Sequence, residues 1–356
     1  MPADPSPPVA GAAANVAELW YTRCPVPSAS SLAIDHGWLD EEFESDGIAV
    51  TSLRASTERS VRESHFDHTQ ADSFRQGGSI PPIWTRSRGG DTALVAISWT
   101  DEYQAVIALP GSGIESVGDL RGRRLGLPRR VNDQIDYWRA MCLRGYLSAL
   151  SIAGLGAGDV ELVDLPVDET YIGAEGQSKR GTLWSGGNRA RRQQIETFAL
   201  VRGAVDAIYT AGAPGAQLAA MLGAHDVVEL GHHPDRRLRC NNQTPTILTV
   251  SGRLARDYPD IVARYLARLL RAASWAGDHR SETARIVAND VGASEEWVHA
   301  AYGEDLYADL GIDLSDDGIA AVAAQIDFLL HHGFIEHDFD VSGWIAHEPL
   351  RIALGG

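Results

Sequence analysis

From residue 16 onward, apolar runs of strand length alternate with stretches of helical spacing, and this alternation is the strongest constraint on the fold. "VAELWYT" (16–22) reads as a strand, and Ser28 is placed to cap a helix carrying Leu32, Ala33, Ile34 and Trp38 that ends near Gly37 to Asp40. "GIAVTSLRA" (47–55), "TALVAISWT" (92–100) and "YQAVIALP" (103–110) supply three more strands. The texture then repeats. A short helix, a turn and a strand fill 113–128, a long helical stretch covers 133–154, and strands follow at 158–166, 203–210 and 226–231. Past residue 250 the spacing turns helical and amphipathic. Such alternation calls for parallel sheets flanked by helices, and two successive runs of it call for two α/β lobes with a cleft between them. The expected division is a lobe of 16–110 with 251–356 and a lobe of 111–250, after a Pro- and Ala-rich leader (1–15) expected to be disordered.

Composition narrows the function. Thirty-one basic residues against 48 acidic ones give a formal net charge of −17, and no basic stripe is interleaved with aromatics, so nucleic acid is not an expected partner. An anionic substrate would need a local Arg. The N-terminal stretch has neither a basic region nor a continuous apolar run, which points away from a secretory signal or membrane anchor. Three cysteines are too few for a disulfide scaffold, so the expected setting is the reducing cytoplasm, and the expected state is a monomer.

Two phrases stand out for chemistry. In "YTRCPVPSAS" (21–30), Cys24 falls between a strand and a helix start; in "HFDHTQADSFRQGGSIPP" (65–82), a His and an Arg precede a Gly pair. A lone Cys after a strand is ordinarily a small packed hydrophobe, and that is the reading for Cys142 and Cys240. For Cys24 the second phrase reverses it. An Arg offers a donor fork suited to two oxygens of one anion, and glycine backbone can approach such an anion closely. His65 and His68 lie three apart, but no carboxylate or Cys completes a metal site, and "GHHPDRRLRC" (231–240) lacks a second ligand pair. No metal is expected. "GLGAGD" (154–159) follows a helix and precedes a strand, the reverse of a phosphate-binding turn. The Gly- and Arg-rich segment 173–193, with Arg189, Arg191 and Arg192, is the expected lid.

Four phrases, "SSLAIDHGWLDEEFESDGIAVTSL" (30–53), "SVGDLRGRRLGLP" (116–128), "GAVDAIYT" (203–210) and "IDFLLHHGFI" (326–335), resemble the type II periplasmic-binding-protein fold of nitrate, sulfonate and taurine binding proteins. "CPVPSA" (24–29), the 65–82 phrase and "VDAIYT" resemble, more closely, the 2'-hydroxybiphenyl-2-sulfinate desulfinases of bacterial dibenzothiophene desulfurisation. That resemblance implies a cofactor-free carbon–sulfur hydrolase whose site lies in the interlobe cleft. It casts Cys24 as the catalytic thiol, with His65 and Arg75 as its partners. Gly77 and Gly78 would hold sulfinate oxygens through their backbone. Phe66 would be a pocket aromatic, Trp184 a lid aromatic, and Gln70 an added polar contact. Two mechanisms stay open: proton transfer from the thiol to the ipso carbon, or thiolate attack on sulfur. The rival functions are a non-catalytic binding component for a sulfonate-like or aromatic anion and, ranked low for want of a Cys-rich stretch, a thiamine-pyrimidine-type enzyme.

Overall fold

The computed structural model describes residues 16–172 and 193–355; the leader and all but the last residue of the expected lid lie outside them. Ten strands follow one another along the chain: β1 (Glu18–Arg23), β2 (Ala49–Ser52), β3 (Ser73–Gly78), β4 (Thr92–Ser98), β5 (Gln104–Ala108), β6 (Arg124–Arg130), β7 (Glu161–Val167), β8 (Ala207–Ala211), β9 (His225–Glu229) and β10 (Thr246–Ser251). They build two five-stranded sheets, β2-β1-β3-β10-β4 and β7-β6-β8-β5-β9. The helices are α1 (Ala29–Asp35), α2 (Trp38–Glu44), α3 (Arg59–Asp67), α4 (Ile80–Ser87), α5 (Tyr137–Ile152), α6 (Gln194–Val201), α7 (Gly212–Leu222), α8 (Arg236–Arg239), α9 (Gly252–Asp257), α10 (Pro259–Asp278), α11 (Arg280–Val291), α12 (Glu295–Tyr302), α13 (Asp316–His331) and α14 (His347–Ala353).

The type II periplasmic-binding-protein fold is present, each lobe a sheet flanked by helices. Its sheets are mixed, where wholly parallel ones were expected. β10 runs antiparallel to both β3 and β4, and β5 antiparallel to both β8 and β9. These are the strands next to the two crossings between sheets, and the crossings also shift the borders. β5 sits in the second sheet and β10 in the first, so the chain changes sheet between Ser98 and Gln104 and between Glu229 and Thr246, not at 110 and 250.

Local chemistry explains the elements that place the site. Ser28 caps α1 by accepting from the Ser31 N–H, as its position predicts. The helix expected to run on to Trp38 breaks at Gly37, whose left-handed backbone (φ 73°) turns the chain into a second helix, α2. β3 ends in Gly77–Gly78 and passes through Ser79 into α4, with Pro81 and Pro82 in the first turn, where missing N–H donors cost nothing. Under the first sheet, Leu32 of α1 and Tyr265, Leu266 and Leu269 of α10 close a dry core on Leu19 and Phe74. Around the second sheet, Met141 and Tyr146 of α5 pack with Val106 and Leu125, and the cluster continues to Ile80 of α4 and Leu329 of α13. Both cores therefore reach from one lobe to the other.

Candidate active site

Strand periodicity builds the site. β1 and β3 run parallel with Thr22 opposite Arg75 and Arg23 opposite Gln76, and successive side chains take opposite faces. Tyr21, Arg23, Phe74 and Gln76 go to the helical side: Phe74 stacks on Tyr265 at 3.8 Å between ring centroids, and Arg23 pairs with the buried Asp290. Thr22, Cys24, Arg75 and Gly77 share the other face, toward the cleft. The Cys24 N–H extends the ladder past β1 by donating to the Gln76 carbonyl at 2.9 Å, which fixes the height of the thiol.

Arg75 is 1% exposed, and among the described residues no carboxylate lies within 4.0 Å of it. Its Nε donates to the His65 carbonyl (2.8 Å) and its Nη1 to the Gly78 carbonyl (2.9 Å), while Nη2 faces Cys24 Sγ at 3.7 Å. Two neutral acceptors thus pin the fork and leave its charge uncompensated. Burial pulls its pKa below the usual guanidinium value, and the neighbouring Cys24 opposes that shift. His65, from α3, is wholly buried; its Nε2 is 3.6 Å from Cys24 Sγ and its Nδ1 is 2.8 Å from the Thr22 hydroxyl. Thr22 therefore orients the ring that faces the thiol.

Gly77 lets Cys24 sit there. A Cβ on Gly77 would fall 2.3 Å from Cys24 Sγ and 2.6 Å from its Cβ, and its φ of 154° is one that side-chain-bearing residues rarely adopt. Gly78 is as crowded on its other side, where a Cβ would meet the Asn242 amide at 2.4 Å. Asn242 lies in the segment returning from the second lobe. Its carbonyl accepts from Ser79 N (2.6 Å), its Oδ1 accepts from Ile80 N (2.9 Å), and the adjacent Asn241 donates to the Met141 carbonyl on α5 (3.0 Å). The two asparagines tie the lobes together over the site.

Cys24, His65, Phe66 and Arg75 line one cavity with Tyr137 and Gln243. Its volume, ≈ 10 Å³, admits about one water molecule. The space above is filled by rings: Phe66, Tyr137 and Tyr171 stack at 4.4–6.3 Å, and the Arg130 guanidinium caps Tyr171 at 4.2 Å. Gln70 does not join them. It sits in the turn after α3, its backbone N–H held by Ser64 and its carbonyl by Ser73, because the left-handed His68 has already bent the chain away. Trp184 lies outside the described residues. His68 faces away from His65, toward the Ser73 carbonyl (3.2 Å) and the Thr249 hydroxyl, and burial drops its pKa to about 4. Thr22, Tyr137, Asn242 and Gln243 are additions to the residues expected from sequence. Thr22 was within reach by the strand period that sets it two residues before Cys24; the other three carry no local signal.

A buried carboxyl adjoins the site. Glu196, at the start of α6 and 1% exposed, accepts from the indole N–H of Trp138 (2.8 Å), the residue after Tyr137, while its second oxygen has no hydrogen-bond partner among the described residues. Burial raises its pKa to about 7. The folded chain thus holds a proton that the unfolded chain releases near pH 4.5, so stability falls as pH rises through that window and the loss is complete above about pH 7. Glu196→Gln, which keeps an acceptor for Trp138, should stabilise the protein at pH 8 by up to about 3 kcal/mol and change little at pH 4. Urea melts at the two pH values check this, and an equal gain at both would refute the assignment.

The architecture, two sheet-and-helix lobes with the site between them, is shared with sulfonate-binding proteins. The periplasmic aliphatic sulphonate binding protein SsuA from Escherichia coli superposes with a TM-score of 0.65 at 17% identity, over 92% of each chain, a likeness of fold alone. The chain resembles enzymes of this fold more strongly. The 2'-hydroxybiphenyl-2-sulfinate desulfinase of Rhodococcus erythropolis is 29% identical over 94% of this chain and 93% of its own length. The crystal structure of the desulfurization enzyme DszB superposes with a TM-score of 0.74 at 28% identity, and a Cys→Ser mutant of it in complex with biphenyl-2-sulfinic acid with 0.75 at 26%; each match covers 95% of this chain and 99% of the other. No family model matches the chain.

Proposed function

We propose that this protein is a desulfinase that cleaves the carbon–sulfur bond of an aromatic sulfinate by hydrolysis, through Cys24, His65 and Arg75 and without metal or organic cofactor. The observation that carries the reading is the buried, uncompensated Arg75 guanidinium aimed at a buried thiol that also meets an imidazole. A dry cation of this kind favours a small anion, and the relatives named above act on or bind aryl sulfinates. The sulfinate oxygens take the N–H groups of Arg75 that the His65 and Gly78 carbonyls leave, on the Nη2 side facing Cys24, and the Gly77–Gly78 backbone, which sets sulfur and the ipso carbon beside Cys24 Sγ. The aryl body replaces the contacts that Phe66, Tyr137 and Tyr171 make with one another.

The net reaction, R–SO₂⁻ plus water giving R–H plus bisulfite, balances by two routes over the same atoms. In one, the Cys24 thiol protonates the ipso carbon, the C–S bond breaks to release sulfur dioxide, and hydration of that product to bisulfite returns the proton to sulfur. In the other, the Cys24 thiolate bonds to the sulfinate sulfur while the aryl carbon leaves and takes a proton, and water then splits the S–S bond. His65 handles the proton in both, and Thr22 positions it. A thiol that must stay reduced suits the cytoplasm, and a site drawn from one chain suits a monomer. The test is sulfite release from a panel of aryl and alkyl sulfinates. Equimolar sulfite and arene from aryl members, lost in Arg75→Ala, is the expected result; tight sulfinate binding with no sulfite would leave a binding protein instead.

A further inference from the structure

A second charged cavity lies away from Cys24. Its volume is ≈ 370 Å³, and it opens between α5, α8 and α13 beside the first crossing, sharing no lining residue with the catalytic cavity. Arg144 of α5 lies at its floor, 9% exposed; its Nη1 donates to the Gln325 side-chain carbonyl, and among the described residues no carboxylate lies within 4.0 Å of it. Phe328 covers one face of the guanidinium at 5.4 Å, and burial lowers its pKa to about 10. A buried cation that meets one amide oxygen among the described residues is costly to keep without an anion.

Among the described residues the rim supplies no net counter-charge. Asp317 already pairs with Arg236 (3.3 Å), and Arg237 pairs with Asp235 (2.7 Å), so the charges at the mouth cancel and Arg144 remains in excess. The Arg236 guanidinium lies 4.0 Å over the Trp99 ring, and the Trp99 indole N–H is fixed by Asp101 (3.0 Å). Opposite, Ala320, Ala321 and Ala324 present a smooth apolar side of α13. A fixed aromatic and a methyl-lined helix therefore flank one uncompensated guanidinium.

We propose that this cavity is a second binding site, for a small organic monoanion: a carboxylate or sulfonate whose charged group takes the free edge of Arg144 and whose ring or short alkyl body lies between Trp99 and the alanines of α13. The size suits one aromatic ring with its acid group. The site stands on geometry independent of Cys24, Arg75 and the proposed reaction.

Sodium benzoate is the probe, titrated calorimetrically into the wild-type chain and into Arg75→Ala, with benzyl alcohol as the uncharged control. A benzoate binding event common to both proteins is expected. Arg144→Met should weaken it by about tenfold or more, the loss of one charge-assisted contact, and benzyl alcohol should bind more weakly than benzoate by a similar factor. Ala324→Phe, on the exposed side of α13, should block it without touching the buried Arg, which covers the case of Arg144→Met failing to fold. No event common to wild type and Arg75→Ala up to about 20 mM benzoate would overturn the proposal, as would a common event that survives Ala324→Phe.

Discussion

Cys24→Ser is expected to lower turnover of an aryl sulfinate by about 10²–10⁴-fold while sulfinate affinity stays within about threefold. The split follows from where the binding groups are anchored. Arg75 is held by the His65 and Gly78 carbonyls and His65 by Thr22, none of which involves the Cys24 side chain, so the anion cradle survives the exchange. What is lost is the sulfur. A serine hydroxyl is a far weaker acid than a thiol, and far less nucleophilic at neutral pH, so it fails as the proton donor of one route and as the attacking atom of the other. Its shorter bond to Cβ also draws the reacting atom away from Nε2 and Nη2, already 3.6 and 3.7 Å from sulfur. Arg75→Lys should behave differently: it keeps the charge but loses the fork, so affinity and rate fall together. Single-turnover sulfite release beside equilibrium binding of the same sulfinate separates the two. A serine variant retaining a tenth of wild-type turnover would remove Cys24 from the chemistry.

How far these residues were legible before the structure depends on the strand that carries them. β1, β4 and β5 announce themselves by apolar runs, and Ser28 announces α1. β3 does not: "SFRQGG" holds one large apolar residue among polar ones and glycines, yet all six residues are buried. The reason is functional. A central strand usually reads as a hydrophobic run because both faces are packed, but here one face is given to Arg75 and Gly77 at the cleft and the other to Gln76, whose amide serves the Ser30 backbone. The chemistry hid the strand, and the same residues showed through the family resemblance. Tyr137, Asn242 and Gln243 were invisible for another reason. They come from the second lobe and the returning segment, all far beyond the end of β3 in the chain, and reach the site only through the crossings that turned expected parallel sheets into mixed ones. Gln70, plausible by its nearness in sequence, was turned away by the left-handed bend at His68.

The close approach of β1 and β3 leads to the second large effect. Gly77→Ala should destabilise the fold by about 2–5 kcal/mol and abolish turnover, since the added methyl would sit 2.3 Å from Cys24 Sγ and the backbone there has a φ of 154°. Neither strand can step aside: β3 is held by β1 on one side and β10 on the other, and Cys24 N–H is bonded to the Gln76 carbonyl. Two costs are combined in that figure, steric overlap and backbone strain, and they can be separated because only the overlap involves Cys24. Shortening Cys24 to Ser leaves its Cβ in place, 2.6 Å from the new methyl, so Cys24→Ser should not relieve Gly77→Ala. Removing the Cβ should. Cys24→Gly combined with Gly77→Ala is therefore expected to regain the steric part of the loss, about 1–3 kcal/mol, and to leave the strain of the alanine at position 77 and an inactive protein. Urea denaturation of the two single variants and the double variant measures the coupling directly. Additive losses would mean that the strands do not meet at Cys24 and Gly77 as described, and the placement of the thiol against Arg75 would fall with that contact.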